Sequence, residues 1–390
     1  MNGLDLIRES HEKEVTHFCQ ELLKIKSVNP PGDELAAAEY ISGVLAKTGL
    51  EVEVVRHSPT RASALVRLRG SGKVPALLFS GHIDTVPVGA ETWVHDPFSG
   101  AIADGKIWGR GSADMKGGVA ALMMALKILA EARLPLKGDI ILAATAGEET
   151  NSLGATAIAS RKDLGPVQAI LIPEPSGNEL YIAEKGAFWV ELTTHGKTAH
   201  GSMPDLGRNA VLMMVRLIEE FEKLDIPFKP HPLLDGFSRS VNTIAGGVKT
   251  NVVPDSCVAT IDMRTVPGQD HQAILGQIER LVMDLGKMIP DFKASAKIIN
   301  DRAPIETPAD NPAVGIFSEV IREVTGRSLV PKGTRYFTDG VVLVPALKAP
   351  LLICGPGAPG LAHQPNEHVE IDKLLEAVRI YTLAAMRFLG

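Results

Sequence analysis

Cysteine is scarce in this sequence: Cys19, Cys257 and Cys354 are the three in 390 residues, and they lie far apart. That spacing excludes a disulfide framework and a CxxC metal or redox site. An excess of basic charge is also missing, since 40 Lys and Arg stand against 46 Asp and Glu, a formal net charge of -6. Such a chain has no electrostatic footprint for nucleic acid or for an anionic membrane surface. No apolar run is long enough for a membrane span, and the first ten residues hold no apolar secretory core. Gly109-Arg-Gly111 lacks the third glycine of a dinucleotide loop, no Walker sequence occurs, and Ser80 lacks the nucleophile-elbow spacing. These lacks lead us to expect a soluble cytoplasmic protein without nucleic-acid or membrane partners. What the chain does have is 45% hydrophobic residues, ample for a large core and more than one domain.

Residues 4–24 and 34–48 carry the spacing of amphipathic helices, the first stopped by Asn29-Pro-Pro-Gly32 and the second capped by Gly49. Apolar strands are expected at 50–55, 62–68, 76–79, 139–144, 169–172 and 351–355, and a short hairpin at 100–108 turns on Asp104-Gly105. Helices are expected at 117–132, 154–161, 312–326 and 371–389. The first of these is apolar nearly all round and so should be buried. Alternation of helices with apolar strands argues for an α/β layer with helices on both faces. The pattern changes after Tyr181. Strands at 187–194, 240–245, 252–264 and 294–299, with helices at 209–223 and 271–289, suit an α+β sandwich. The expected division is an α/β domain in two parts, 1–182 and 293–390, interrupted by an inserted domain at 183–292.

The chemistry gathers at strand ends. Ser80-Gly-His82-Ile-Asp84-Thr-Val-Pro87 follows a buried strand, and residues two apart on an extended chain point the same way. A carboxylate so placed can hold an imidazole in one tautomer and strengthen it as a metal ligand. Glu148 and Glu149 follow the strand at 139–144, Glu174 follows 169–172, His363 comes after 351–355, and Asp114 stands before the buried helix. Each has a bland reading: an Asx turn, a helix N-cap, a solvated acidic pair or a loop histidine. In open α/β sheets, however, ligands sit beyond the carboxyl ends of strands, and these residues share that edge. Two imidazoles with several carboxylates match the ligand set of zinc, cobalt or manganese. One bridging carboxylate would make a hydrolytic site with metals about 3.5–4 Å apart. Adjacent Glu148 and Glu149 point differently, so one can ligate while its neighbour takes a proton.

The motifs Gly81-His-Ile-Asp-Thr-Val-Pro87, Gly109-Arg-Gly-Ser-Ala-Asp-Met-Lys-Gly-Gly118, Ala146-Gly-Glu-Glu149 and Pro173-Glu-Pro175 come first along the chain. Gly196-Lys-Thr-Ala-His200, Asn251-Val-Val-Pro254, Asp262-Met-Arg264 and Ala362-His363-Gln-Pro follow. In this order and over nearly the whole chain they resemble the metallopeptidase family of acetylornithine deacetylase, succinyl-diaminopimelate desuccinylase, aminoacylase-1 and glutamate carboxypeptidase. The resemblance implies a zinc-exopeptidase-like catalytic domain with an inserted two-layer lid and dimerisation domain. It implies two divalent ions, zinc first and cobalt or manganese as alternatives. His82, Asp114 and Glu174 would hold one ion, and Asp114, Glu149 and His363 the other. Asp84 would orient His82, Glu148 would be the general base, and the peptide Asp114-Met115 would be cis. His200 would reach the partner's active site across a homodimer and stabilise the oxyanion. Asn251 and Arg264 would bind the substrate carboxylate.

Arg335, in Gly333-Thr-Arg-Tyr-Phe-Thr338, is a further candidate for that carboxylate, because an arginine fork pairs bidentately with it. Deacylation of a small N-acyl amino acid is the expected reaction, with a metallo-dipeptidase or carboxypeptidase as the alternative. A non-catalytic binding or structural homologue is the remote one.

Overall fold

The computed structural model describes residues 3–390. They divide into two compact units. The first runs to Ala183 and takes in Glu306–Gly333 and Thr338–Gly390; the second comprises Glu184–Ile305 and Thr334–Phe337.

A nine-stranded sheet organises the first unit. Its order begins Glu51–Arg56, Ala62–Leu68, Ile140–Thr145, Ala76–His82, Val167–Pro175, Leu351–Gly355, Tyr181–Glu184. The strands Ala76–His82 and Ile140–Thr145 are buried at every residue, which is why they read as unbroken apolar runs. The central strands run parallel: His82 lies opposite Thr145, Leu78 opposite Ile170 and Ile353 opposite Ile172. Their carboxyl ends therefore open at one edge. The outer pair, Glu51–Arg56 and Ala62–Leu68, is antiparallel.

The helix Gly117–Ala132 is buried along most of its length and packs against Glu9–Lys24 and Ile371–Leu389. It begins close to the sheet: a Cβ on Gly118 would stand 2.5 Å from the Pro173 carbonyl oxygen, so only glycine fits. Before it the chain makes a wide turn, Ser112–Lys116, containing the cis peptide Asp114-Met115. Lys116 is buried here, its Nζ donating to the carbonyls of Leu22 and Ile25 at 2.9 and 2.8 Å. Burial pulls its ammonium down to about 7. The hairpin Ala101–Ala103 with Lys106–Trp108 forms as expected, and a short strand not read from the sequence, His368–Glu370, joins it.

The second unit is a four-stranded antiparallel sheet in the order Ser238–Gly246, Ser256–Thr265, Gly186–His195, Ala294–Arg302. Burial alternates along Ser256–Thr265, as period-two patterning requires of a sheet covered on one face. The helices Ala210–Glu222 and His271–Met288 supply Met214, Leu217, Phe221, Ile274 and Ile278 to the core. Both are capped by side chains: Asn209 accepts the N–H of Leu212, and Asp270 that of Gln272. The expected junction at residue 292 falls short. Ala294–Arg302 pairs with Gly186–His195 from Ala294 to Arg302, and those backbone bonds hold it in the second unit. Among the described residues no helix is long and apolar enough to cross a membrane.

Candidate active site

The carboxyl edge of the first unit's sheet collects the expected cluster. His82 ends its strand and is buried, with Nε2 3.0 Å from Asp114 Oδ1 and 3.7 Å from Glu174 Oε1. His363 is exposed, with Nε2 3.3 Å from Asp114 Oδ2 and 3.1 Å from Glu149 Oε2. Asp114 thus presents one oxygen to each imidazole. Glu148 and Glu174 are buried and, with His82, offer ligand atoms all within 4.8 Å of one another; His82, Asp114 and Glu149 do the same. Glu148 is therefore among the groups that could hold an ion, although it was expected to act as base.

Four carboxylates and two imidazoles share this space, and the electrostatics reflect it. Burial, with Asp114 beside Glu174 and Glu174 beside Glu148, raises both glutamates well above the ordinary carboxyl range. Burial also works against the Asp114 charge, but the two imidazoles outweigh it and hold that carboxylate low. Contacts with Asp114 and Glu149 raise His363 to about 10. Buried carboxylates in such number call for cations, and a mixed nitrogen and oxygen donor set fits zinc, cobalt or manganese.

The model of peptidase family M20/M25/M40 matches residues 78–387, which span both units. The chain belongs to that family. It is 28% identical over 398 residues to a probable succinyl-diaminopimelate desuccinylase of Staphylococcus epidermidis, covering 95% of this chain and 96% of the relative. It is 27% identical over 404 residues to the N-formyl-4-amino-5-aminomethyl-2-methylpyrimidine deformylase of Bacillus subtilis, covering 95% and 94%. Its fold matches an M20 family metallo-carboxypeptidase from Sulfolobus solfataricus with a TM-score of 0.79 at 21% identity, covering 95% and 98%. The M20 chain is thus a metal-dependent hydrolase of amide bonds.

Within this M20 site, Asp84 holds a different place from the one its spacing suggested. His82 Nδ1 donates to the Asp84 backbone carbonyl at 3.0 Å, while the Asp84 carboxylate stands 3.7 Å away. That carboxylate instead accepts the backbone N–H groups of Gly147, Glu148 and Glu149 at 3.0, 3.2 and 3.2 Å. The Asn29 side chain completes its shell at 2.8 Å. Gly147 turns with φ +83, which brings the three N–H groups round onto one anion. His82 is still fixed as the tautomer with Nε2 facing the cluster, but by the carbonyl.

The remaining expected residues belong to the second unit. His200 is exposed and bridges to Val252, and its neighbour Gly201 donates to the Asn251 carbonyl at 2.8 Å. His200 Nδ1 accepts the Ser202 backbone N–H at 3.2 Å, so Nε2 carries the ring's N–H donor. Arg264 turns its Nε and Nη2 onto Asp262 at 3.1 and 3.0 Å and lies over Phe337, 5.6 Å from the ring centroid. Its fork is therefore partly taken up by a neighbour two residues away. Arg335 is exposed and pairs with Asp235 at 2.7 Å, an ordinary surface ion pair.

Four buried residues outside the expected set also meet the cluster's supporting shell. Asn29 holds Asp84; Asp339 accepts the Thr145 hydroxyl at 2.7 Å at the end of a central strand; Arg110 and Glu367 pair at 2.6 Å. Asn29 read as punctuation before two prolines, and Glu367 lay four residues past His363 without a partner in view. Burial raises Asp339 to about 6.

Proposed function

We propose that the chain is a two-metal deacylase that releases a free amino acid from a small N-acyl amino acid. The observation that carries this reading is Asp114, whose two oxygens face different imidazoles at 3.0 and 3.3 Å. A carboxylate shared in that way is a natural bridge between two ions. His82, Asp114 and Glu174 would hold one ion and Asp114, Glu149 and His363 the other, with zinc first and cobalt or manganese next. Ions so held supply Lewis acidity, polarising the amide carbonyl and lowering the pKa of water.

The chain's own residues do the rest. Glu148 takes a proton from the attacking water at its carboxylate and delivers it to the leaving nitrogen as the C–N bond breaks. The products are a free amine and a carboxylate. His200 Nε2–H donates to the oxyanion that develops on the carbonyl, and it does so from the second copy of a two-fold homodimer, with the second unit as lid and dimer surface. Asn251 and Arg264 hold the substrate carboxylate, Arg264 through the Nη1 edge that Asp262 leaves; Arg335 assists only if its Asp235 pair opens. The three thiols, all buried, suit a reducing cytoplasm.

The names of two relatives, a desuccinylase and a deformylase, describe removal of an acyl group and support this reading. The structural neighbour named a carboxypeptidase keeps peptide cleavage as the second reading. A metal-reconstituted panel of N-acetyl, N-formyl and N-succinyl amino acids beside dipeptides, each paired with its carboxamide, tests both. Acyl amino acids should be cleaved and their carboxamides spared. Preference for dipeptides would move the assignment to a peptidase, and equal cleavage of carboxamides would remove the carboxylate clamp.

A further inference from the structure

The buried pair Arg110–Glu367 takes no part in the proton transfers above, yet it touches three of the segments that surround the cluster. Glu367 Oε1 accepts the backbone N–H groups of Ala113 and Asp114 at 2.9 and 3.0 Å, and Oε2 takes Arg110 Nη1 at 2.6 Å. Arg110 Nη1 also donates to the Gln364 carbonyl at 3.2 Å. Its Nη2 reaches the carbonyls of His363 and Pro87, each at 3.4 Å. The guanidinium is covered by the Trp93 ring, 5.1 Å from its centroid. Side-chain exposure is 3% for Arg110 and 0% for Glu367.

Two charges removed from water this completely are costly unless their hydrogen bonds are filled. Here the two charges meet each other and the backbone of three segments, the turn after Asp84, the Asp114 turn and the His363 loop, while Arg110 Nε alone of the fork has no partner among the described residues. That loop needs an anchor. His363 is exposed, and it and Asn366 hold positive φ of 62 and 60, a conformation uncommon outside glycine though less so for asparagine and histidine.

The geometry points to Arg110 and Glu367 as a positioning pair that sets the separation of Asp114 from His363, and so builds the ion site shared by Asp114, Glu149 and His363. This rests on the two-metal reading. Neither side chain touches an ion or substrate; each acts through backbone it holds.

The test is the double variant Arg110→Met with Glu367→Gln, which removes both charges at once and keeps an oxygen for the Ala113 and Asp114 N–H groups. Cobalt is titrated into the stripped full-length chain and followed by its visible absorption and by calorimetry, with thermal unfolding in chelator as the control. The first equivalent should bind as in wild type. The second should weaken by about 10–100-fold, the usual cost of losing a supporting contact to a ligand, with unfolding in chelator little changed. Arg110→Lys, which keeps the charge but not the fork, should recover only part of the loss. Two unaltered equivalents would overturn the positioning role. Equal weakening of both, with lowered stability in chelator, would reassign the pair to general packing. A wild type that takes one ion would overturn the two-metal reading itself, and the assignment with it.

Discussion

Two adjacent glutamates stand at the centre of this site, and the proposed function gives them different roles. Glu148 is buried beside His82 and Glu174, and Glu149 meets His363 at 3.1 Å. Replacing Glu148 by alanine should lower kcat by about 10²–10⁴-fold, the usual worth of a general base, with metal content near that of wild type by elemental analysis. Glu149→Ala should instead lose metal. Exchange of these two phenotypes would exchange the roles. The residue types and their order were legible in the sequence because His82, Asp114, Glu174 and His363 each stand in a recognisable motif. What spacing left open was which atom of Asp84 faces His82. Carbonyl and carboxylate of one residue lie within a few ångströms, and only the folded backbone separates 3.0 Å from 3.7 Å. The same holds for Arg264 and Arg335. A sequence shows an arginine, and the fold shows whether Asp262 or Asp235 has already engaged it.

The element that matters most is the turn after Ile140–Thr145, which three backbone N–H groups wrap onto the Asp84 carboxylate. Asparagine at this position offers one oxygen where two now accept, and turns an amide N–H toward donors. Asp84→Asn should therefore destabilise the fold by about 1–3 kcal/mol in denaturant unfolding, the cost of buried donors left unpaired. It should also lower kcat more than it raises KM, because Glu148 rides on that turn. An unchanged kcat with unchanged stability would mean that the turn holds its shape without the anion. The strands that carry these groups were visible as apolar runs, since both faces of a parallel sheet are buried. The strand His368–Glu370 was not: three residues bonded to Lys106–Trp108 have no periodicity to display.

For the whole molecule, the proposed ions would bind a surplus of buried carboxylates in the folded chain alone, so stability should depend on cations. Chelation should lower the unfolding temperature and added zinc, cobalt or manganese restore it; a ligand at a hundred times its Kd adds about 2.7 kcal/mol. A thermal scan in chelator that matched the loaded protein would remove this coupling. The proposed dimer has its own measurement. Mixed His200→Ala and Glu148→Ala chains should regain activity, since each hybrid holds one site with both groups intact. No recovery after proven subunit exchange would leave His200 a role within its own chain or none in catalysis.

Local physics settled a good deal of this protein in advance. Apolar runs, turn residues and strand-end polar groups specify an α/β layer, a second unit of different pattern and a candidate metal-ligand set, because each is written in neighbours along the chain. Contacts between distant residues had to await the fold. Ala294–Arg302 joins the second unit through a register with residues a hundred positions earlier, and Glu367 closes on Arg110 and Asp114 from some 250 positions away. A hydrogen bond is short and directional, so whether two such residues meet depends on every element between them, and no local pattern records it.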